Sequence, residues 1–314
     1  MKKLIVSITL LLTILLSACQ PGASTAAGTQ PEGKLRVLAV ESYLADMAQK
    51  IAGERLQIEV LMPLGVDPHS FEPTPQDIAK ISKSQILLIN GAGFEEWLAE
   101  TLTNAGGKQV VIEASQGLTS RQAREGEAVM HAEQDAHETG DPHFWLDAQN
   151  AVRYVETIRD GLIQADPEGR ALYTQNASAY LIELKDLDAW IEEQVQAIPA
   201  EKRQIVTNHE SFGYYADRYG FKIIGTVIPS VSSESAPSAQ QLALLIDTIR
   251  QTGARVIFLE TGANPQLAQQ IAEETGVMVV TNLYTHSLSA ADGPAPSYIE
   301  MMRYNTRTIV DALK

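Results

Sequence analysis

The sequence predicts an α/β fold of two lobes, each with a parallel β-sheet flanked by helices, joined by a long rigid spine helix. In both halves of the chain, short apolar runs of strand length alternate with stretches of helical spacing, the pattern of β-α-β units. Between the halves, apolar residues recur at helical spacing from Pro167 to Ile198, and Pro199 ends the stripe. A helix of that length spans roughly 48 Å at ~1.5 Å per residue, enough to run along both lobes. Two shorter helices, broken near Gly169 or Asn176, are the alternative.

Composition sets limits on the partners of this chain. It has 314 residues, 45% of them hydrophobic, which is enough for two domains with cores of their own. Its 39 acidic and 24 basic residues give a formal net charge of −15. Because such a surface repels polyanions, we expect no nucleic-acid partner. We also expect a monomer.

The N-terminus has the organisation of a secretory signal. Lys2 and Lys3 precede an apolar run over residues 4–16, which is shorter than the ~20 residues of a membrane span. The run ends at Cys19, the single cysteine, and Leu16-Ser17-Ala18-Cys19 resembles the lipobox of bacterial lipoproteins, in which the cysteine is lipidated. An ordinary signal peptide with an incidental cysteine is the alternative. We assign residues 1–18 to the signal peptide and residues 19–34 to a lipidated, flexible tether rich in Ala, Gly, Thr and Pro.

The remaining chain divides into three predicted parts: an N-terminal α/β lobe over residues 35–165, the linking helix over 166–199 and a C-terminal α/β lobe over 200–314. Asp166 as N-cap and Pro167 at the first position favour a helix start there. Thr74 and Pro75 favour another in the first lobe. Strands are predicted at 35–40, 56–62, 85–89 and 109–112, then at 204–207, 222–227, 255–260 and 277–280, with helices over 43–52 and 296–314.

Four histidines follow predicted strands, two from each half: His69, His143, His209 and His286. A lone histidine beside aromatic residues is more often a core residue. Four at the carboxyl ends of strands, where α/β sheets bind ligands, instead indicate a metal held in the cleft between the lobes. Imidazole suits zinc, copper, iron or nickel, whereas manganese favours oxygen ligands. A closed set of four ligands leaves no position for a reacting water, which favours binding over catalysis.

Carboxylates can fix the tautomer of a ligating histidine through its second nitrogen. Pattern alone does not assign them, and the candidates for this role are Glu72, Asp141, Asp147, Glu210 and Glu260. Two further histidines, His131 and His137, lie in an acidic stretch over residues 124–139. That stretch is either a loop that collects metal weakly or a solvated surface loop.

Several longer motifs surround these histidines and continue to the C-terminus: Pro68-His69-Ser70-Phe71-Glu72-Pro73-Thr74-Pro75, Asn90-Gly91-Ala92-Gly93-Phe94-Glu95-Glu96-Trp97, Asp141-Pro142-His143-Phe144-Trp145-Leu146, Asn208-His209-Glu210-Ser211-Phe212-Gly213-Tyr214, Asp292-Gly293-Pro294 and Met301-Met302-Arg303-Tyr304-Asn305. In these motifs the mature chain resembles the zinc- and manganese-binding solute-binding lipoproteins of bacterial ABC transporters. Together they extend from the first predicted strand to the C-terminus. The resemblance implies two α/β lobes joined by one rigid helix, with the metal in the cleft.

The resemblance also implies a set of ligands. His69 and His143 fall on the two ligands of the first lobe and His209 on the third, where histidine goes with zinc and glutamate more often with manganese. The fourth ligand of the family is usually a carboxylate, and here it is His286. Either His286 completes an all-histidine site, which we favour, or Glu260 or water takes its place.

These observations predict a zinc-binding lipoprotein outside the cytoplasm, periplasmic or at the cell surface. We expect its lipid to hold it to the cell membrane and manganese to be a less favoured metal. The partners implied by the resemblance are an ABC permease and its ATPase, because this chain has no ATP motif and is expected to have no enzymatic activity. Two alternatives remain: a zinc hydrolase with three histidines, a water and Glu72 or Glu210 as base, and a surface protein of cell adhesion whose metal is structural.

Overall fold

The computed structural model describes residues 35–121 and 140–314. The predicted signal peptide, the tether with Cys19, and the pair His131 and His137 lie outside these residues. Within them, no helix is both long and apolar enough to cross a membrane.

Two four-stranded parallel sheets organise the chain, and they have the same topology. The first lobe contains β1 (Val37–Ala39), α1 (Ser42–Ala52), β2 (Ile58–Val60), α2 (Pro75–Lys83), β3 (Ile86–Ile89), α3 (Leu98–Asn104) and β4 (Val110–Glu113), with strand order β2-β1-β3-β4. Then come α4 (Ala148–Ala165) and α5 (Arg170–Gln196). The second lobe contains β5 (Gln204–Thr207), α6 (Gly213–Tyr219), β6 (Lys222–Thr226), α7 (Ala239–Thr252), β7 (Val256–Glu260), α8 (Gln266–Thr275), β8 (Met278–Leu283) and α9 (Tyr298–Leu313), with strand order β6-β5-β7-β8. The predicted fold class is therefore confirmed.

Both faces of the central strands are buried, which explains why they are continuous apolar runs in the sequence. Along β7, Val256 and Phe258 point into a core that both lobes share, while Ile257 and Leu259 point into a separate core under α7 and α8. β1 alternates in the same way between the shared core and one beneath α2 and α3. Because one continuous core extends through both lobes, their relative position depends on apolar packing.

The linking helix α5 packs on α1 and α4 of the first lobe and on α6 and α9 of the second lobe. Its predicted start was wrong: residues Pro167–Gly169 form a separate 3₁₀ turn, and the Asp166 side chain does not cap it. Instead, Asp166 accepts hydrogen bonds from Arg55 Nε at 2.5 Å and from the Tyr173 hydroxyl. From Arg170 to Gln196 the helix is continuous, so the alternative of a break near Asn176 is also wrong.

Two other helix starts follow from local sequence. Thr74 caps α2 by accepting from the Asp77 N–H, with Pro75 at the first position, as predicted. Helix α4 was not predicted, although Asp147 caps it by accepting from the Gln149 N–H at 2.8 Å. The caps show that both helices begin where a side-chain oxygen replaces the missing intrahelical acceptor.

A buried carboxylate joins α5 to its neighbours in both lobes. Asp188 is 5% exposed and accepts from Gln149 Nε2 of α4 at 2.7 Å. It also accepts from Arg218 Nε and the Tyr219 hydroxyl of α6, both at 3.0 Å. Burial raises the pKa of Asp188, but the hydrogen bonds from Arg218 and Gln149 outweigh it, so the pKa lies below its ordinary value. The charged carboxylate therefore holds three elements together.

We expect Asp188→Ala to destabilise the protein by about 2–3 kcal/mol, because it leaves Arg218 and Tyr219 without their acceptor. This lies below the range for fully buried pairs, since the Arg218 side chain is 32% exposed. Urea denaturation measures the change. Glu193→Ala, an exposed position on the same helix, is the matched control and should stay within about 0.5 kcal/mol of the parent. Equal stability of the two variants would contradict the assigned role.

Candidate metal centre

The first two histidines are positioned by the same local device. In Asp67-Pro68-His69, the Asp67 carboxylate accepts from the His69 backbone N–H at 3.0 Å. In the second Asp-Pro-His motif, Asp141 accepts from the His143 N–H at 2.9 Å. An aspartate that binds the N–H two residues further on closes a compact turn. Each motif therefore aims its imidazole by sequence-local bonding, one after β2 and one before the 3₁₀ turn Phe144–Leu146.

The other two histidines follow strands of the second lobe. His209 comes two residues after β5, where the Thr207 hydroxyl donates to the His209 carbonyl at 2.9 Å. His286 follows β8, and the preceding carbonyl of Thr285 accepts from Trp145 Nε1 of the first lobe at 2.8 Å. This bond places the His286 loop against the residues that flank His143.

The structure brings all four predicted histidines to one place. Each offers a ring nitrogen within 4.8 Å of the others. All six distances between their ring centroids lie between 5.1 and 5.6 Å. Four points with six nearly equal separations form a tetrahedron, the coordination geometry of zinc in closed protein sites.

The nitrogen positions fit a metal better than a hydrogen bond. His209 Nε2 lies 3.3 Å from His143 Nε2. Nitrogen ligands at ~2.0–2.1 Å from a tetrahedral ion lie roughly 3.3–3.4 Å from each other. His286 Nε2 is buried and has no hydrogen-bond partner among the described residues. Such a buried acceptor is costly unless a ligand satisfies it.

Most of the site is shielded from solvent, and only His69 is clearly partly exposed. His143 and His209 are fully buried, and His286 is 9% exposed. The buried ring of Phe94 contacts His69, His143 and His286, with centroids 5.1–5.7 Å apart. Burial, reinforced by the other three histidines, lowers the pKa of His143 well below its ordinary value. This imidazole is therefore neutral and ready to bind a metal at neutral pH.

Two buried carboxylates lie behind the histidines, one in each lobe. Asp141 Oδ1 is 2.9 Å from His143 Nδ1. Glu260, at the end of β7, has Oε1 at 2.8 Å from His209 Nδ1 and Oε2 at 3.4 Å from His286 Nδ1. The contact of His143 Nδ1 with Asp141 is a hydrogen bond, and a proton on that Nδ1 leaves the Nε2 lone pair of His143 for a metal. Glu260 lies close enough to favour a proton on Nδ1 of His209 and His286 through its charge.

The surroundings of Glu260 stabilise its negatively charged form. Burial raises its pKa, but His209 and His286 outweigh that effect and hold the pKa far below its ordinary value. For His209, burial lowers the pKa and Glu260 more than reverses the change. For His286, burial prevails over the attraction of Glu260, and the pKa is lowered. The carboxylate also accepts from the hydroxyls of Ser211 at 3.1 Å and Thr285 at 2.6 Å.

The other carboxylates proposed from sequence take different positions. Glu72 is exposed, and Asp147 caps α4. The pKa of Asp141 is raised to about 7: burial raises it, the His143 N–H and Arg121 lower it, and the charge of Glu210 also raises it. Glu260 thus contacts two of the histidines, whereas the effect of Glu210 is on the pKa of Asp141.

Contacts across the cleft surround the site and could not be predicted from local sequence. The Gly65 N–H donates to Ser287 Oγ at 3.0 Å, and the Ser233 hydroxyl donates to the Asp67 carboxylate. Gly262 has a φ of +89°, and a Cβ at this position would lie 3.1 Å from the Gly65 carbonyl oxygen. The N-lobe loop that holds His69 therefore lies directly on the second lobe.

Two parallel-sheet lobes on one long helix, with four clustered imidazoles between them, have the features expected of a metal-binding protein. A family model described as "Zinc-uptake complex component A periplasmic" matches residues 37–312. The chain belongs to this family, the metal-binding substrate-binding proteins of ABC transporters. Members are transport proteins outside the cytoplasm and not enzymes, which confirms the predictions of recognition, localisation and absence of enzymatic activity.

Relatives of this chain are named for different metals. The chain is 32% identical over 313 residues to the manganese-binding lipoprotein MntA of Halalkalibacterium halodurans, covering 100% of this chain and 99% of MntA. It is 33% identical over 276 residues to the iron-binding protein YfeA of Yersinia pestis, covering 88% and 85%. The structure of the periplasmic zinc-binding protein TroA of Treponema pallidum superposes with a TM-score of 0.78 at 27% identity, covering 90% and 99%. Metal binding is thus a family property, and the relatives do not single out one metal.

We expect Glu260→Gln to weaken metal binding about 10–100-fold, because an uncharged amide no longer favours a proton on Nδ1 of both His209 and His286. A chelator-competition titration measures the affinity. Glu72→Gln is the matched control, since Glu72 is exposed and lies in the loop that follows His69. Wild-type affinity in the Glu260 variant would show that the carboxylate does not orient these ligands.

Proposed function

We propose that this protein captures zinc outside the cytoplasm and delivers it to an ABC permease for import. The tetrahedron of four imidazoles carries the proposal, because His69, His143, His209 and His286 present nitrogen ligands alone to the ion. Nitrogen ligands favour zinc over manganese, and the general affinity order of divalent ions points the same way. Substrate-binding proteins of ABC transporters work with a permease and its ATPase, and we infer these partners here.

The charges around the site also suit a protein that carries a divalent ion. Four neutral imidazoles add no charge to a divalent ion, whereas Asp141 and Glu260 lie next to the ring nitrogens on the far side. When both carboxylates are ionised, they balance the ion's two charges without contacting it. A buried ion needs such compensation. In this arrangement His286 is the fourth ligand and Glu260 its support, so Glu260 need not substitute for it. The adhesion alternative stays a prediction.

We expect one zinc per chain, with manganese bound far more weakly. Metal analysis of protein purified without added metal gives the stoichiometry, and a zinc–manganese competition titration gives the order of affinities. Deleting residues 124–139 serves as control and should leave this single tight site intact, because His131 and His137 do not belong to the four. Displacement of zinc by manganese at comparable free concentrations would overturn the choice of metal.

The fourth ligand is tested by replacing His286. An imidazole binds metal only when neutral, so protons compete increasingly as pH falls. Burial lowers the pKa of His286, so at this position the competition begins below the ordinary imidazole pKa of ~6.5, whereas an unperturbed aspartate stays ionised down to ~4. We expect His286→Asp to retain zinc, to reduce the loss of zinc affinity between about pH 7 and 5, and to improve relative manganese affinity through its hard oxygen. His286→Ala should weaken zinc binding.

The measurement is zinc and manganese affinity of the wild type and both variants at several pH values. Asn208→Ala, next to His209 but outside the four ligands, is a control for general disturbance of the site. Unchanged zinc affinity and pH slope in the His286→Ala variant would remove His286 from the ligand set.

For the anchor, we propose lipidation of Cys19. A diacylglyceryl group binds membranes through its buried chains at ~0.8 kcal/mol per CH₂. We expect Cys19→Ser to release the protein from the membrane fraction or to leave it unprocessed, as seen by fractionation and by size. A mature-sized variant that remains in membranes would show that another element anchors the chain.

A further inference from the structure

A second polar cleft lies where α1, α5 and α9 meet, and the four histidines do not line it. It encloses a volume of about 280 Å³, near the lower end of the ~300–1,000 Å³ typical of small-molecule sites. One lining helix belongs to the first lobe, one is the linking helix and one belongs to the second lobe. A ligand here would contact all three parts of the protein.

The lining of this cleft is predominantly acidic. Four carboxylates line it, and two cationic side chains oppose them: Asp46, Glu183, Asp186 and Glu300 against Lys50 and Arg303. Arg303 is already engaged, because its Nη1 lies 3.4 Å from Glu300 Oε1 and its guanidinium lies 5.7 Å from the ring centre of Trp190. Three carboxylates and Lys50 remain, so the rest of the cleft has an excess of negative charge.

The Tyr180 hydroxyl gives a second, independent indication of a ligand. Tyr180 is 2% exposed, lines the cleft and has a hydroxyl that finds no hydrogen-bond partner among the described residues. A buried hydroxyl without a partner costs free energy, so each such group calls for an explanation. Burial raises the pKa of Tyr180, and so do Asp46, Tyr298 and Glu183; the two carboxylates line the same cleft as Tyr180. A ligand N–H group would satisfy the hydroxyl and these carboxylates together.

The spacing of the acids excludes a bare metal ion and favours an elongated cation. Among the described residues, only the four histidines bring three or more potential ligand atoms close enough for one ion. Tyr180, Glu183 and Asp186 all line the cleft and follow one another at three-residue intervals on α5, so successive members are neighbours in a row that winds around the helix. From the first to the last, this row rises roughly 9 Å along the helix axis at ~1.5 Å per residue. Separated positive charges on a flexible chain match such a row.

We propose that this cleft binds a small linear aliphatic diamine. One ammonium group would donate to the Asp46 carboxylate and the Tyr180 hydroxyl, and the other would bind the carboxylates of Glu183 and Asp186. Asp46 already accepts from the Tyr298 backbone N–H of the second lobe at 2.9 Å. The bound diamine would therefore be located at a hydrogen bond that joins the two lobes.

Calorimetric titration of the metal-loaded, full-length protein with 1,4-diaminobutane tests this proposal. We expect saturable binding of one diamine per chain that weakens as salt is added. Butylamine should bind about tenfold more weakly than the diamine, because it loses one charge-assisted contact. Succinate should not bind. Absence of saturable diamine binding, or equal affinity for butylamine, would overturn the proposal.

Variants distinguish diamine binding in this cleft from general attraction to surface charge. We expect Asp46→Asn and Glu183→Gln each to reduce diamine affinity about tenfold, and Tyr180→Phe to reduce it severalfold. Glu193→Gln is the matched control, since it removes an exposed carboxylate of the same helix that does not line the cleft. If Asp46→Asn disturbs folding through its bond to Tyr298, the exposed Glu183→Gln decides alone. Equal affinity in Glu183→Gln and the parent, or an equal loss in Glu193→Gln, would contradict the site. Zinc affinity, measured in parallel, should not change in any variant.

Discussion

Compensation of a buried divalent charge is the constraint on which the architecture of this protein depends. Four uncharged imidazoles can surround an ion, but they do nothing to neutralise its charge, and three of these four rings are buried. The carboxylates nearest to the rings are Asp141 in one lobe and Glu260 in the other. In the proposed zinc site each ionised carboxylate would act through a ring, so the ion would keep nitrogen ligands while its charge is offset.

This arrangement links metal binding to the position of the lobes. Glu260 contacts His209 and His286, whereas Asp141 contacts His143, so each lobe brings its own ligands with their own counter-charge. The shared hydrophobic core and Asp188 on α5 hold the lobes in register. The N-lobe loop that carries His69 is in turn bound to the second lobe through Gly65 and Asp67.

The family accommodates several metals on one scaffold, and the ligand types offer a physical reason. Relatives are named for manganese, iron and zinc, although their folds are alike. Exchanging an imidazole for a carboxylate changes both the hardness of a ligand and the charge around the ion. If all four clustered histidines of this chain ligate, as proposed, its site lies at the nitrogen-only end of that range. Asp141 and Glu260 lie behind the imidazoles, where they would supply charge without supplying oxygen ligands.

Local sequence was enough to predict the class of fold, the positions of the strands and the four histidines that cluster in the cleft. Continuous apolar runs such as Val256–Leu259 are buried on both faces, which is a property of parallel sheets that local pattern records. The Asp-Pro-His motifs were equally readable, because Asp67 and Asp141 bind the N–H two residues further on. Local reading failed at Asp166, whose carboxylate was predicted to cap a helix and instead binds Arg55, far away in sequence.

Only the tertiary structure decided how the histidines meet and which acids support them. Five carboxylates were candidates to support a histidine, because each lies near a histidine or a strand end in the sequence, and local pattern could not choose among them. Folding places Glu260 between His209 and His286, and it moves Asp147 to a helix cap. The contact between Gly65 and Ser287 joins residues 222 positions apart. Nothing in a local stretch encodes such a contact, because it arises where two loops from separate sheets are brought together by packing on α5.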